Sequence, residues 1–281
     1  MIAIADSGST KTDWAIIDLN RTNKRVQTTG LNPYFLNENS ILEVLEKDLL
    51  PFIDPKSINK VFFYGAGCGA QEKSLLISNV LSTFFINAVC DVSTDIIGVL
   101  NAIDSKHEGI AAILGTGANS CKFSGNQLIQ QAPSLGYILG DEGSGAFIGK
   151  MFIKAYLSGK LPEPIKLSFE QKNCVSREIL LDNIYRRSFP NRYLASFCPW
   201  IASQAGNSFI DNLIKESFYA FFKEYISIYD GFSSLPLYFT GSIAYYFSEQ
   251  LQFVAHQHQI QIKEITLSPI EGLIRFHLKD R

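Results

Sequence analysis

Apolar residues Ile2–Ala5 run into a cluster of small polar residues at Asp6–Lys11, and apolar positions resume through Thr12–Leu19. Two such runs joined by a short polar turn predict a hairpin. Arg25–Thr29 predicts a third strand after the polar turn Asn20–Lys24. Ile41, Leu42, Val44, Leu45, Leu49 and Leu50 recur at helical spacing, with Asn39 or Ser40 as the cap. Lys60–Tyr64 predicts a strand and Gly65–Gly69 a tight loop after it. A helix over Ser74–Phe85 and a short strand over Asn87–Val92 follow. Another helix starts in STDIIGVLNAI, capped by Ser93 or Thr94, with Asp95 in its first turn.

The pattern then begins again. Gly109–Leu114 predicts a strand, Gly115–Ala118 a turn, and Asn119–Phe123 and Gln127–Gln131 two more strands around the turn Ser124–Asn126. A helix over Glu142–Leu157 comes next, and residues 165–230 are mostly helical. SLPLYFTGS (Ser234–Ser242) predicts a strand entering a glycine turn, with a helix over Tyr245–Phe253. IQIKEITL (Ile260–Leu267) is the last strand and Pro269–Leu278 a closing helix. Strands alternating with helices in this way predict an α/β fold. The two halves also share a motif. IADSGSTKTDW (Ile4–Trp14) and ILGTGANSCKF (Ile113–Phe123) align so that Ser7 falls on Thr116, Gly8 on Gly117, Ser9 on Ala118 and Trp14 on Phe123. Two glycine-bearing hairpins, one opening each half, predict a duplicated domain that grips a phosphorylated ligand from both sides.

Composition narrows the function. The 281 residues suffice for two domains, and 46% hydrophobic with 19% charged residues is a globular balance. A net charge of -2 gives no electrostatic case for nucleic acid or an anionic membrane. No run reaches the roughly 18 apolar residues of a membrane span, and no leader precedes the first strand, so a cytoplasmic protein is expected. Cys68, Cys90, Cys121, Cys174 and Cys198 contain no CxxC, which argues against a disulfide framework, a zinc site or an iron–sulfur cluster. His107, His256, His258 and His277 form no metal pattern, and His256 and His258 read as alternating along a solvated strand edge.

Candidate chemistry sits in the turns. Small residues in Asp6–Thr12 let backbone N–H groups approach phosphate oxygens; Ser9 and Thr10 add hydroxyls, and Lys11 can add charge. Asp6 ends a strand, where a carboxylate can hold Mg²⁺, usually through water. The alternative for this motif alone is a polar hairpin turn. Thr116 and Gly117 offer the matching turn in the second half. In GYILGDEGSG, Asp141 and Glu142 read as the cap of the following helix, and the surrounding glycines point to a ligand that approaches closely. Asp95 is either a first-turn stabiliser of its own helix or a carboxylate that accepts a proton from a substrate hydroxyl. Gly241 and Ser242 form a strand-to-helix turn suited to a nucleotide. Asn32-Pro33 and Cys68 lie in loops after strands.

Together these motifs resemble the actin/Hsp70/sugar-kinase superfamily, and within it the N-acetylglucosamine kinase family and the related BadF/BadG-type ATPases. The order DSGSTKT, LNP, GAGCG, STDIIGVLNA, GTGANS, GYILGDEGSGAFIG, FTGS is similar to theirs over nearly the whole chain. The resemblance implies two duplicated ribonuclease-H-like domains with mixed sheets flanked by helices and a cleft between them. It places one domain at residues 1–106, joined by the closing helix 268–281, and the other at 107–267 with a helical insertion. It implies an ATP-dependent carbohydrate kinase acting on an amino sugar, N-acetylglucosamine first, with ATP and Mg²⁺ and a homodimer as plausible assembly. Asp95 would be the base and Asp6 would help place Mg²⁺. Ser9, Thr10, Lys11, Thr116 and Gly117 would line the phosphates, and Gly241 and Ser242 the adenosine. Asn32, Asn119 and Asp141 would contact the sugar. The competing readings are an ATPase coupled to a redox partner and a non-catalytic sugar or nucleotide sensor.

Overall fold

A computed structural model of the chain describes residues 1–18, 23–103, 106–173 and 176–279. Asn20 at the head of the predicted second turn, and Cys174, lie outside the described residues. The chain divides into two compact units. One comprises Met1–Ala111, Phe123–Ile129 and Ser268–Arg281; the other comprises Ala112–Lys122 and Gln130–Leu267.

The strands are β1 (Ile2–Ser7), β2 (Lys11–Ile17), β3 (Asn23–Thr29), β4 (Lys60–Gly65), β5 (Val89–Thr94), β6 (Glu108–Leu114), β7 (Ala118–Ser124), β8 (Gln127–Gln131), β9 (Leu237–Thr240) and β10 (Ile262–Thr266). They form two five-stranded sheets, ordered β3-β2-β1-β4-β5 and β10-β9-β6-β7-β8. Read from its other edge, the second sheet is β8-β7-β6-β9-β10, the first order repeated strand for strand. The duplication first visible in two turns therefore extends to both sheets.

In the first sheet β1 pairs antiparallel with β2, β2 with β3, and β1, β4 and β5 run parallel. Successive residues of β1 and β2 go to opposite faces. Ala3, Ala5, Trp14 and Ile16 join one buried cluster with Ile41, Leu45, Leu49, Ile77 and Leu81. Ile2, Ile4, Ala15 and Ile17 join another with Tyr64, Ile270, Leu273 and Ile274. Both faces are covered, which is why these strands read as unbroken apolar runs. The closing helix, Ile270–Leu278, supplies Ile270, Leu273 and Ile274 to the second cluster.

Helix termini depart from the expectations. The first helix starts at Glu38, and its cap is Asn37, whose Oδ1 accepts from Ser40 N–H (2.9 Å), rather than Asn39 or Ser40. Thr94 precedes the helix Asp95–Ala102 without a side-chain bond; Asp95 Oδ1 takes the Ile96 N–H itself (2.9 Å). Asp141 and Glu142 do not cap the next long helix. That helix is Gly145–Leu157, and Ser144 Oγ caps it by accepting from Phe147 N–H (3.2 Å). Gly143 at φ +79° and Asp141 at φ +59° break the backbone before it. The predicted strand edge at His256 and His258 is instead the end of the helix Ser248–Gln257. There the His258 ring is stacked on Phe222, with centroids 5.0 Å apart.

Candidate active site

Register assembles the first half of the site. Ser7 on β1 lies level with Gly65 on β4, and Gly65 lies level with Thr94 on β5. The carboxyl ends of three parallel strands therefore finish at one edge, the usual ligand edge of a parallel α/β sheet. Asp6 ends β1 there, the Gly65–Gly69 loop leaves β4, and Asp95 begins its helix directly after β5.

Asp6 is desolvated, and its pKa is pushed up to about 7, first by burial and then by the negative charges of Asp13 and Asp95; Ser268 and Lys11 act in the opposite sense. Asp13 faces Asp6 across the β1–β2 pair. Ser268 Oγ donates to Asp6 Oδ2 (3.3 Å) from the segment before the closing helix. Lys11 Nζ pairs with Asp13 Oδ2 (2.8 Å), and Gln27 Nε2 donates to Asp13 Oδ1 (2.7 Å). A buried carboxylate beside two others is short of positive charge, which is the donor chemistry a divalent cation satisfies. Among the described residues no cluster of three or more His, Cys, Asp or Glu side chains forms a closed metal cage.

The hairpin turn is tied to the segment after β3. Gly30 N–H donates to Thr10 O (3.0 Å), and Leu31 N–H donates to Ser7 Oγ (3.1 Å). Ser7 Oγ is bonded in turn to Thr12 Oγ1 (2.8 Å). Gly30 lies against the Gly8 and Ser9 carbonyl groups so closely that a Cβ there would overlap them. Asn32 is buried and donates from Nδ2 to Ser9 Oγ (2.8 Å), while its Oδ1 accepts from Tyr34 N–H (3.0 Å). Gly67, at φ +83°, brings the loop after β4 against Asn32 Oδ1, where a Cβ would sit 2.6 Å away. Cys68, in the same loop, is buried and its thiol pKa is pushed up to about 12, mainly by desolvation, which leaves it inert. Ser9, Asn32, Asp6 and Asp95 thus belong to one unit.

The second unit holds the remaining candidates. Gly145 and Ala146 N–H groups at the helix start donate to Gly115 O (2.8 Å) and Thr116 O (3.1 Å), fixing the turn that carries Thr116 and Gly117. Gly241, at φ +114°, packs without a Cβ against the Leu114 carbonyl. That contact brings the Gly241-Ser242 turn to the Gly115–Gly117 turn. Asp141 is also brought here: its Oδ1 accepts from Ala118 N–H (3.2 Å), and its carboxylate faces Gly117. Its pKa is pushed up to about 6, mainly by burial. Asn119 is buried on β7, and its Oδ1 accepts from Ser120 N–H (2.9 Å) and Gln131 Nε2 (3.3 Å).

Sequence reasoning missed Asp13, Ser268, Tyr225 and Tyr229. Tyr225 OH accepts the Asp141 N–H (2.9 Å). Tyr229 OH accepts from Ala132 N–H (3.1 Å) and bonds Ser120 Oγ (2.8 Å), which itself donates to Tyr225 O (2.7 Å). Tyr225 lies in a π-turn, Phe222–Ile226, a feature frequent at functional sites. Only Asp13 left a readable sign: a hairpin centred on Ser9–Thr10 sets it opposite Asp6.

Neither a protein-family model nor a curated protein matches the sequence. Solved structures do match. A candidate N-acetylglucosamine kinase from Porphyromonas gingivalis is 39% identical, with a TM-score of 0.91 over 99% of this chain and 98% of the other. A candidate N-acetylglucosamine kinase from Chromobacterium violaceum is 16% identical, with a TM-score of 0.67 over 98% of each chain. A ROK family glucokinase from Streptomyces griseus, solved with glucose and AMPPNP, is 11% identical, with a TM-score of 0.56 over 98% of this chain and 97% of the other. The last two share the fold.

Proposed function

The chain belongs to the N-acetylglucosamine kinase family, related to the BadF/BadG-type ATPases within the actin/Hsp70/sugar-kinase superfamily, and from that premise we propose that it is an ATP-dependent kinase of an amino sugar, N-acetylglucosamine first among them. The observation that carries this reading is the common strand edge where Asp6, the Ser7–Thr12 turn and Asp95 meet. Phosphoryl transfer needs little covalent chemistry from a protein; it needs positioning and charge stabilisation. A turn with closely approachable backbone, a carboxylate suited to Mg²⁺ and a second carboxylate are the parts for it.

In this reading Asp95 accepts the proton of the sugar hydroxyl as that oxygen bonds to the γ-phosphorus. The bond from phosphorus to the bridging oxygen breaks, and ADP leaves with the electron pair. Ser9 and Thr10 hold phosphate oxygens, with Lys11 adding charge nearby. Thr116 and Gly117 are further phosphate contacts, and Gly241 and Ser242 take the adenosine. Asn32, Asn119 and Asp141 orient the sugar. Asp6 would hold Mg²⁺, which when bound would neutralise phosphate charge.

Asp95→Asn keeps the shape and removes the base. It lowers kcat for sugar phosphorylation by about 10²–10⁴-fold. The Kd for ATP, measured by calorimetry, stays within a few-fold of the parent. Full turnover in Asp95→Asn would remove Asp95 from this role.

A further inference from the structure

Asp141 stands at φ +59° between Gly140 and Gly143, which bring no side chains to hold the chain there. Glycine allows many backbone angles, so local sterics do not fix the Gly140–Asp141 peptide. A hydrogen bond does: the Asp141 N–H donates to Tyr225 OH (2.9 Å). A Cβ on Gly140 would lie 3.0 Å from that hydroxyl, so the bare glycine is what lets the tyrosine reach the peptide. At the other end of the residue, Asp141 Oδ1 accepts from Ala118 N–H (3.2 Å). The direction of the carboxylate therefore depends on two bonds, one at the backbone and one at the side chain.

Tyr225 is itself held firmly. It is 3% exposed, and its ring is stacked on Phe221, with centroids 5.1 Å apart and planes 13° from parallel. Its backbone O accepts from Ser120 Oγ (2.7 Å). Because the Ser120 hydrogen is given there, Tyr229 OH is the donor to Ser120 Oγ (2.8 Å), and it accepts from Ala132 N–H (3.1 Å). The Ser120 N–H goes to Asn119 Oδ1 (2.9 Å). One buried hydroxyl network thus borders Asp141 and Asn119 together. Desolvation pushes the Tyr225 phenol up to about 12, so the hydroxyl stays neutral across the working pH range.

We propose that Tyr225 is a positioning residue for the acceptor sugar, fixing through the Asp141 N–H the direction in which the Asp141 carboxylate meets it. The inference rests on the sugar-kinase reading above and adds a residue that the reading does not use. The effect falls on sugar rather than nucleotide, because the Gly115–Gly117 turn has its own bonds from Gly145 and Ala146 N–H.

The test uses the full chain: calorimetry of N-acetylglucosamine binding in the presence of AMPPNP and Mg²⁺, calorimetry of AMPPNP itself, and steady-state kinetics. Tyr225→Phe keeps the stacked ring and removes only the hydroxyl. It raises the Kd and KM for the sugar about 5- to 100-fold, the range spanned by a bond left unmade at a buried site. The Kd for AMPPNP stays within a few-fold of the parent, and kcat at saturating sugar falls less than KM rises. A merely structural role lowers the denaturation midpoint and leaves the sugar Kd of the folded protein where it was. Asp141→Gly accepts the same backbone angle and removes the carboxylate; it weakens sugar binding, and adding Tyr225→Phe weakens it no further. An unchanged sugar Kd in Tyr225→Phe, or losses that add in the double variant, overturns the positioning role and leaves the kinase reading standing. Failure of the wild-type protein to bind any amino sugar overturns the kinase reading itself, and the positioning role with it.

Discussion

Asp141 is unfavourable to the ligand-free protein in two ways. Its backbone sits at φ +59°, a region that L-residues other than Asn and Asp enter reluctantly. Its carboxyl is buried, and the raised pKa of about 6 reports the cost of ionising it there. In the unfolded chain this group titrates near 3.8. Its folded pKa is the higher of the two, so folding favours the protonated form. The stability it allows is fully present below pH 3.8 and is lost as the pH rises through about 6. Asp141→Asn keeps the left-handed backbone and an oxygen for Ala118 N–H, and removes the titration. We expect it to raise the stability of the ligand-free protein at pH 8 by on the order of 3 kcal/mol and to change it little at pH 3.5. Urea unfolding at the two pH values checks this; an equal shift at both would mean that ionisation is not the cause. In the sequence Asp141 stood out by the glycines around it, but its role as a helix cap did not survive, because Gly143 turns the chain away first. Tyr225, which holds its N–H, could not be read: the two residues meet only through folding.

At the scale of elements, the turns carry the site and glycines let them come together. Gly241 combines a φ of +114° with a backbone contact to Leu114. Gly241→Ala therefore costs about 1–3 kcal/mol for the conformation alone, and the new Cβ pushes the Gly241-Ser242 turn off the Gly115–Gly117 turn. The variant shows a lower denaturation midpoint and weaker ATP binding than Asp95→Asn; unchanged nucleotide affinity would detach this turn from the nucleotide. The strands were the most legible elements. Ile2–Ser7 and Lys60–Gly65 lie within a residue or two of the expected bounds, because apolar runs ended by glycine or polar turns leave few alternatives. Helix starts were less legible. Asn37 and Ser144 cap their helices by side-chain bonds, while neighbouring Asn, Ser, Thr and Asp residues carry the same propensity. Local geometry, not residue type, chooses among them. Lys11 pairs with Asp13 two residues along the same face of β2, a local contact that the expected turn Asp6–Lys11 concealed.

At the scale of the whole molecule, the chain is a repeat with one return. The two sheets share a strand order, and the closing helix belongs to the unit that contains the first strand. Leu273 is fully buried in the cluster with Ile2, Ile4 and Ile17. Leu273→Ala removes about 2–5 kcal/mol of stability and loosens the segment whose Ser268 hydroxyl meets Asp6. Thermal denaturation gives the first effect; a loss below 1 kcal/mol would show that the helix is not part of this core. The repeat was visible in the sequence at two turns, because only there do both copies need the same small residues. The strands between them need only apolar side chains, which differ freely between copies. In the proposed reading the substrate is encoded least directly, in single polar side chains at Asn32, Asn119 and Asp141. It is therefore the point to test. ADP release, measured with ATP and Mg²⁺ over a panel of amino sugars and plain hexoses, addresses it most directly. N-acetylglucosamine should stimulate release strongly in the parent protein, with phosphorylated sugar formed in equal amount to ADP, and Asp95→Asn should abolish most of it. No stimulation by any sugar of the panel would contradict the account.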